Sequence, residues 1–110
     1  MELNNYIDGA FLKPDGTFDE LESYIEEAID YDIRGICVLP YRLIQTRDVY
    51  VFSGIGPKII TCVNFPYGAS NAAIYEAIGS VHNRTDEIDY VMPIGYIKDL
   101  SKIEAKVSPF

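Results

Sequence analysis

The sequence predicts an α/β fold: four βα units of a TIM (β/α)8 barrel, a half-barrel with parallel strands. Four short apolar runs, Ile7–Leu12, Ile36–Leu39, Ile59–Phe65 and Ile88–Ile94, recur along the chain. The intervals between them each hold one amphipathic helix of about 10–15 residues, the pattern of βα units feeding a parallel sheet. Length supplies the third observation, since a closed eight-unit barrel usually takes about 250 residues and this chain has 110. Residues 1–110 therefore read as a single half-barrel domain, with 48% hydrophobic content to build its core.

Each element has a local cause. After the first strand, Lys13-Pro14-Asp15-Gly16 is a turn, and Thr17 with Glu20 forms a capping box that starts the first helix. Leu21, Ile25, Ala28 and Ile29 share one stripe of that helix, and Asp19, Glu22, Glu26, Glu27 and Asp30 lie largely away from it, so much of the acidity is a solvated face. Gly35 precedes the second strand, which ends at Pro40, and a second helix is expected over Tyr41–Val51. Gly54-Ile55-Gly56-Pro57 breaks the chain before the third strand, whose near-continuous apolar character suits a parallel strand buried on both faces. Ser70 or Asn71 is placed to cap a third helix, with Ile74, Ala77, Ile78 and Val81 on its packed side. Pro93-Ile94-Gly95 is expected to close the fourth strand, and Ser101 with Glu104 to open a short last helix before Ser108-Pro109-Phe110.

A net charge of −8 and a pI near 4.4 argue against nucleic acid and against an anionic membrane surface as partners. The polar N-terminus lacks the regions of a signal peptide, no apolar run approaches a membrane span, and a cytoplasmic protein is expected. Cys37 and Cys62 lack Cys-x-x-Cys spacing and read as core thiols in a reducing compartment, and the Asn83-Arg84-Thr85 sequon reads as accidental.

In parallel barrels chemistry gathers at the C-terminal ends of the strands, which limits the candidates to Asp8, Lys13, Cys37, Asn64, Phe65 and Asp89. Asp89 stands out, because a carboxylate between Ile88 and Tyr90 is costly to bury without a partner. Metal chemistry finds no ligand set: His82 is the only histidine and sits in a polar stretch, which also removes a Ser-His-Asp or Cys-His arrangement. A Schiff-base lysine must be deprotonated by burial or a cationic neighbour. Lys58, Lys98, Lys102 and Lys106 are in the wrong places for this, and Lys13 flanks a turn.

Taken in order, Ile7-Asp8-Gly9-Ala10-Phe11-Leu12-Lys13-Pro14, Ile36-Cys37-Val38-Leu39-Pro40, Val63-Asn64-Phe65-Pro66-Tyr67-Gly68 and Asp86-Glu87-Ile88-Asp89-Tyr90-Val91 resemble the N-terminal half of the deoxyribose-phosphate aldolase family. The resemblance implies a TIM-barrel class I aldolase that cleaves 2-deoxyribose 5-phosphate to acetaldehyde and glyceraldehyde 3-phosphate through a lysine Schiff base, with no metal or other cofactor. It assigns Asp89 to proton transfer, Asp8 to the charged network that supports it, and Cys37 and Phe65 to the substrate pocket, beside Asn64 at the end of the third strand. The family's Schiff-base lysine, its pKa-lowering partner lysine and the phosphate loops belong to later strands. Gly9-Ala10 also departs from the family's His or Leu followed by Thr, a loss of a hydroxyl and of packing volume expected to loosen the pocket.

Two main readings follow. The chain is half of an aldolase, inactive alone and completed by a C-terminal half-barrel that lets it bind sugar phosphate. Alternatively it is a noncatalytic half-barrel that self-associates through its unpaired edge strands and binds a sugar phosphate or a protein partner. An unrelated enzyme using Lys13 or Lys98 is the third possibility.

Overall fold

The computed structural model describes residues 2–54 and 56–103. Strands β1 (Asp8–Phe11), β2 (Gly35–Val38), β3 (Lys58–Val63) and β4 (Glu87–Tyr90) form one sheet in the order β1-β2-β3-β4. All three pairings are parallel, with Asp8 opposite Gly35, Gly35 opposite Lys58, and Ile60 opposite Glu87. Helices α1 (Phe18–Asp30), α2 (Leu43–Ser53), α3 (Ala73–His82) and α4 (Ile94–Ile103) follow the strands in turn.

The capping box of α1 forms as its sequence requires: Glu20 N–H donates to the Thr17 hydroxyl at 3.2 Å, and Thr17 N–H to the Glu20 carboxylate at 3.1 Å. From that fixed start, Leu21, Ile25 and Ala28 turn inward and join Ile36, Val38, Leu43, Val49 and Ile59 in the main core. This core lies between the outer face of the sheet and helices α1 and α2, and each fully buried aliphatic side chain in it contributes roughly 1.5–3 kcal/mol. Side chains two apart on a strand share a face. The opposite, inner face therefore carries Asp8 and Ala10, Gly35 and Cys37, Ile60 and Cys62, and Glu87 and Asp89. Cys37, Ile60 and Cys62 form a smaller buried cluster there.

Four expectations are corrected. The strands are shorter at their C-terminal ends than the apolar runs, because Pro40, Pro66 and Pro93 lie just beyond them and cannot donate to a ladder. The second helix begins with a 3-10 turn over Pro40–Arg42, and the α-helix proper starts at Leu43. Chain after β4 goes directly into α4 at Ile94, with Pro93 just ahead of the first turn, so Ser101 lies inside the helix. Glu104 and the Ser108-Pro109-Phe110 stop fall outside the described residues.

The fourth correction concerns α3. Neither Ser70 nor Asn71 caps it; Ser70 accepts from Ala72 N–H at 2.9 Å one turn early. The stripe expected to pack is turned out, with Ile74, Ile78 and Val81 exposed by 64%, 60% and 64%. Rotation of the helix is set by polar anchors. Glu76 reaches back to accept from Asn64 N–H at 3.0 Å, and Ser80, one turn on, is buried.

Gly9 faces outward, toward α1. A Cβ there would stand 2.1 Å from the Tyr24 hydroxyl and 3.1 Å from its ring, so the volume absent at residue 9 is filled by a phenol from the helix layer. The expectation that Gly9 loosens the substrate pocket is therefore overturned; only Ala10 lies on the inner face. Gly9→Ala should destabilise the chain by about 1–3 kcal/mol, the usual cost of overpacking. Adding Tyr24→Phe, which removes the atom nearest the new methyl, should recover part of that loss in urea unfolding. Equal stability of Gly9→Ala and the parent would refute this packing.

Candidate active site

The inner face is polar at one end and apolar in its middle. At the start of the strands, the Arg34 guanidinium donates from Nη1 to both oxygens of Asp8 at 2.8 Å and from Nη2 to Glu87. One side chain from the turn before β2 therefore holds carboxylates from β1 and β4, the two edges of the sheet. The hydrogen bonds to Asp8, with the second pair to Glu87, raise the Arg34 pKa above its ordinary value, so it stays charged across the working pH range.

Further along the same face, Cys37 Sγ lies 3.6 Å from Asp89 Oδ2 and donates to it, spanning from β2 to β4 across β3. Of the five residues named with the family resemblance, the structure thus joins Cys37 and Asp89 through their side chains. Asp89 itself is exposed, contrary to the expectation of a buried carboxylate, because the inner face in front of it is open among the described residues. Burial pushes the Cys37 thiol far up from its ordinary value, and the neighbouring Cys62 and the Asp89 carboxylate add to that. Cys62 is raised for the same first reason. Both thiols are free and buried.

Asp8 is not next to Asp89. It stands level with Lys58, whereas Asp89 stands level with Cys62, four residues on, or about 13 Å of strand rise. Asp8 meets Arg34 instead, which also holds Glu87, so Asp8 belongs to a charged network at the opposite end of the ladder.

Asn64 and Phe65 open the loop between β3 and α3. Asn64 is buried with a left-handed backbone at φ 66°, a conformation asparagine tolerates better than most residues. Its amide nitrogen donates to Val91 O at 3.1 Å and its amide oxygen accepts from Ser70 N–H at 3.0 Å. Those bonds hold the loop to the end of β4 and make Asn64 a positioning side chain. Gly68 closes the same contact, since a Cβ there would lie 2.5 Å from Met92 O. Phe65 is 40% exposed at the rim.

Sequence reasoning missed Arg34, Glu87, Glu76 and Arg42. Period-two alternation would have placed Glu87 on the face of Asp89; Arg34 and Glu76 carry no such signal. Arg42, only 6% exposed, ties the loop after β1 to the turn after β2 by donating to Gly16 O and to Gln45 at 2.9 Å, with its guanidinium 4.6 Å from the Tyr41 ring centre. No group of three His, Cys, Asp or Glu side chains suited to a metal ion occurs among the described residues, and none of their helices is long and apolar enough to cross a membrane.

A parallel βα sheet with helices on its outer face and an open inner face is the architecture of half a TIM barrel, and solved structures share that fold. The aldolase QR15 superposes with a TM-score of 0.79 at 24% identity, over 96% of this chain and 46% of that one. The deoxyribose phosphate aldolase of Aeropyrum pernix, described as a unique tetramer, gives 0.71 at 21%, over 90% and 44%. No protein-family model matches the chain. Among curated proteins, the deoxyribose-phosphate aldolase of Streptococcus gordonii is 38% identical over 100 residues, 89% of this chain and 44% of that protein. That of Streptococcus pneumoniae is 33% identical over 111 residues, 97% and 50%. Over the stretch it spans, the chain is similar to the deoxyribose-phosphate aldolases. It spans about half the length of the curated relatives it matches.

The raised thiol pKa values have a consequence for pH. A group whose folded pKa lies above its unfolded value supports folding below the unfolded value, and that support is lost as pH climbs toward the folded one. Unfolding free energy should therefore fall as pH rises above about 8.5, the ordinary thiol range, and Cys37→Ser should flatten the slope between pH 8.5 and 10. Native thiols should react with Ellman's reagent at pH 8 at least about tenfold more slowly than in urea, since only the thiolate attacks. Equal rates in the native and unfolded states would contradict the burial.

Proposed function

We propose that the chain is the N-terminal half of a deoxyribose-phosphate aldolase-like enzyme, supplying the proton-transfer carboxylate and part of the substrate pocket to a barrel whose lysine nucleophile comes from a complementing half. The observation that carries this reading is the pairing of Asp89 with Cys37 on an open inner face, in a chain similar to these aldolases over half their length. In the reaction, the substrate carbonyl condenses with a lysine amine to a Schiff base and water; the retro-aldol step then releases glyceraldehyde 3-phosphate and leaves an enamine, which is protonated at carbon and hydrolysed by water to acetaldehyde and the free amine. Asp89 would take up and return the proton at the reacting carbon, with Cys37 fixing the orientation of its carboxylate. Cys37 and Phe65 would line the pocket, and Asn64 would hold the loop that carries Phe65. Asp8 would serve indirectly, by locking the sheet through Arg34.

None of Lys13, Lys58 and Lys98 suits the nucleophile's role. Lys13 is held in an ion pair with Glu20 at 3.3 Å, Lys58 begins β3 at the Arg34 end, and Lys98 lies on α4. The competing reading, two copies closing eight strands, draws support from the unpaired outer edges of β1 and β4. Such a dimer would set two Asp89 carboxylates in one interior with no strand-borne lysine at their level, and like charges brought together disfavour the ionised pair.

Alone, the chain should show no cleavage of 2-deoxyribose 5-phosphate. Mixed with the C-terminal half of a related aldolase, it should restore turnover, and in that complex Asp89→Asn should lower the rate by about 10²-fold or more. Glu26→Gln, on the solvated side of α1, should leave the rate unchanged. A well-folded active complex indifferent to Asp89→Asn would overturn the assignment, and turnover by the chain alone that Lys13→Ala abolishes would overturn the division of labour.

A further inference from the structure

The chain has two cysteines, and they stand on the inner face of adjacent strands. Cys37 on β2 is level with Ile60 on β3, and Cys62 lies two residues further along β3, so the two side chains share a face across a diagonal of the ladder. With Ile60 they form one buried cluster, and the thiols are near enough for each to affect the ionisation of the other. Both are free. Strands about 4.8 Å apart, with a rise of about 3.3 Å per residue, put the Cα atoms of such a diagonal about 8 Å apart. A disulfide spans at most about 7 Å without moving the backbone. The pair is therefore close enough to share a ligand and too widely held to close on itself.

The surroundings select the ligand. Burial holds both thiols protonated, whereas a metal cation needs its sulfur ligands as thiolates. Among the described residues no group of three His, Cys, Asp or Glu side chains is suited to a metal ion. A trivalent arsenical makes neither demand, because it condenses with neutral thiols and two sulfurs satisfy it. Access comes from the open side of the sheet: Asp89, whose Oδ2 accepts from Cys37 Sγ at 3.6 Å, is exposed.

We infer that Cys37 and Cys62 form a dithiol site that captures a trivalent arsenical and bridges β2 to β3 through it. With an organoarsine oxide, two S–H bonds and the arsenic–oxygen bond break, two As–S bonds form, and both protons leave with the oxygen as one water. Arsenic stays trivalent and nothing is oxidised. The S–As–S bridge is one atom longer than a disulfide, which suits a diagonal that a disulfide does not span. Capture also takes the Cys37 hydrogen bond away from Asp89. The site stands apart from the aldolase reading, since neither lysine nor substrate takes part.

The test mixes the whole folded chain with phenylarsine oxide at neutral pH and reads the product by native mass spectrometry and by thiol titration with Ellman's reagent in urea. One phenylarsine group should be found per chain, with both thiols lost to the titration. Excess monothiol should leave the adduct in place and dithiothreitol should remove it, because only a second dithiol competes with a two-point attachment. Cys37→Ser and Cys62→Ser should each lose the adduct in the same monothiol. Diamide, which oxidises thiols that can meet, should leave the native chain with both thiols titratable. Where a serine variant fails to fold, the monothiol and diamide results on the parent chain decide. A Cys37–Cys62 disulfide under diamide, release by monothiol, an adduct that survives in either serine variant, or no adduct on the folded chain would each overturn the proposal.

Discussion

A single guanidinium joins the two edges of the sheet. Strands β1 and β4 are separated by two others, and strands lie about 4.8 Å apart, so carboxylates from both edges can share Arg34 only if the sheet curls around it and the side chains reach inward. Asp8 and Glu87 do this. The pair is partly exposed, and its worth lies less in stability than in geometry, since exposed ion pairs contribute about 0–1 kcal/mol each. The curl gives the chain a concave inner face and a convex outer one, and every further feature of the molecule belongs to one of the two.

On the convex side, α1 and α2 cover the sheet and make the main core. On the concave side, curvature lets Cys37 on β2 touch Asp89 on β4 over the top of β3. At the C-terminal ends of the strands, Asn64 and Gly68 bind the loop after β3 to the chain just beyond β4, and Glu76 ties the same loop to α3, which fixes the rim where Phe65 sits. Charge is thus sorted along the strands: a closed ionic network at their start, soft thiols in the middle, and one exposed carboxylate toward the end. In the proposed division of labour, that exposed carboxylate would be the proton-transfer group and the completing half would bring the cation.

Much of this was legible in the residues, for identifiable reasons. Apolar runs bounded by proline and glycine gave four strands in order, and the Thr17–Glu20 box located α1 to the residue. Asp89 drew attention because a carboxylate inside a strand is costly to bury, yet the structure leaves it exposed. Long-range choices were not legible. Whether α3 would present Ile74 and Ile78 or Ser80 to the sheet depended on Glu76 finding Asn64, a contact between elements that no local period encodes. The outward direction of Gly9 depended on strand parity and on Tyr24 from a different element. Arg34 escaped notice because it sits in a turn, where an arginine ordinarily reads as solvated.

The central claim, that one guanidinium shared between opposite edges holds the concave shape, is tested most directly by a mutant cycle in urea unfolding. With Arg34 in place, Asp8→Asn and Glu87→Gln should each lower the urea midpoint. In an Arg34→Met background the same two substitutions should become stabilising, because two carboxylates held near each other then repel with nothing between them. If the effect of Asp8→Asn is the same with and without Arg34, and is indifferent to Glu87, the two edges are not joined there and the account fails.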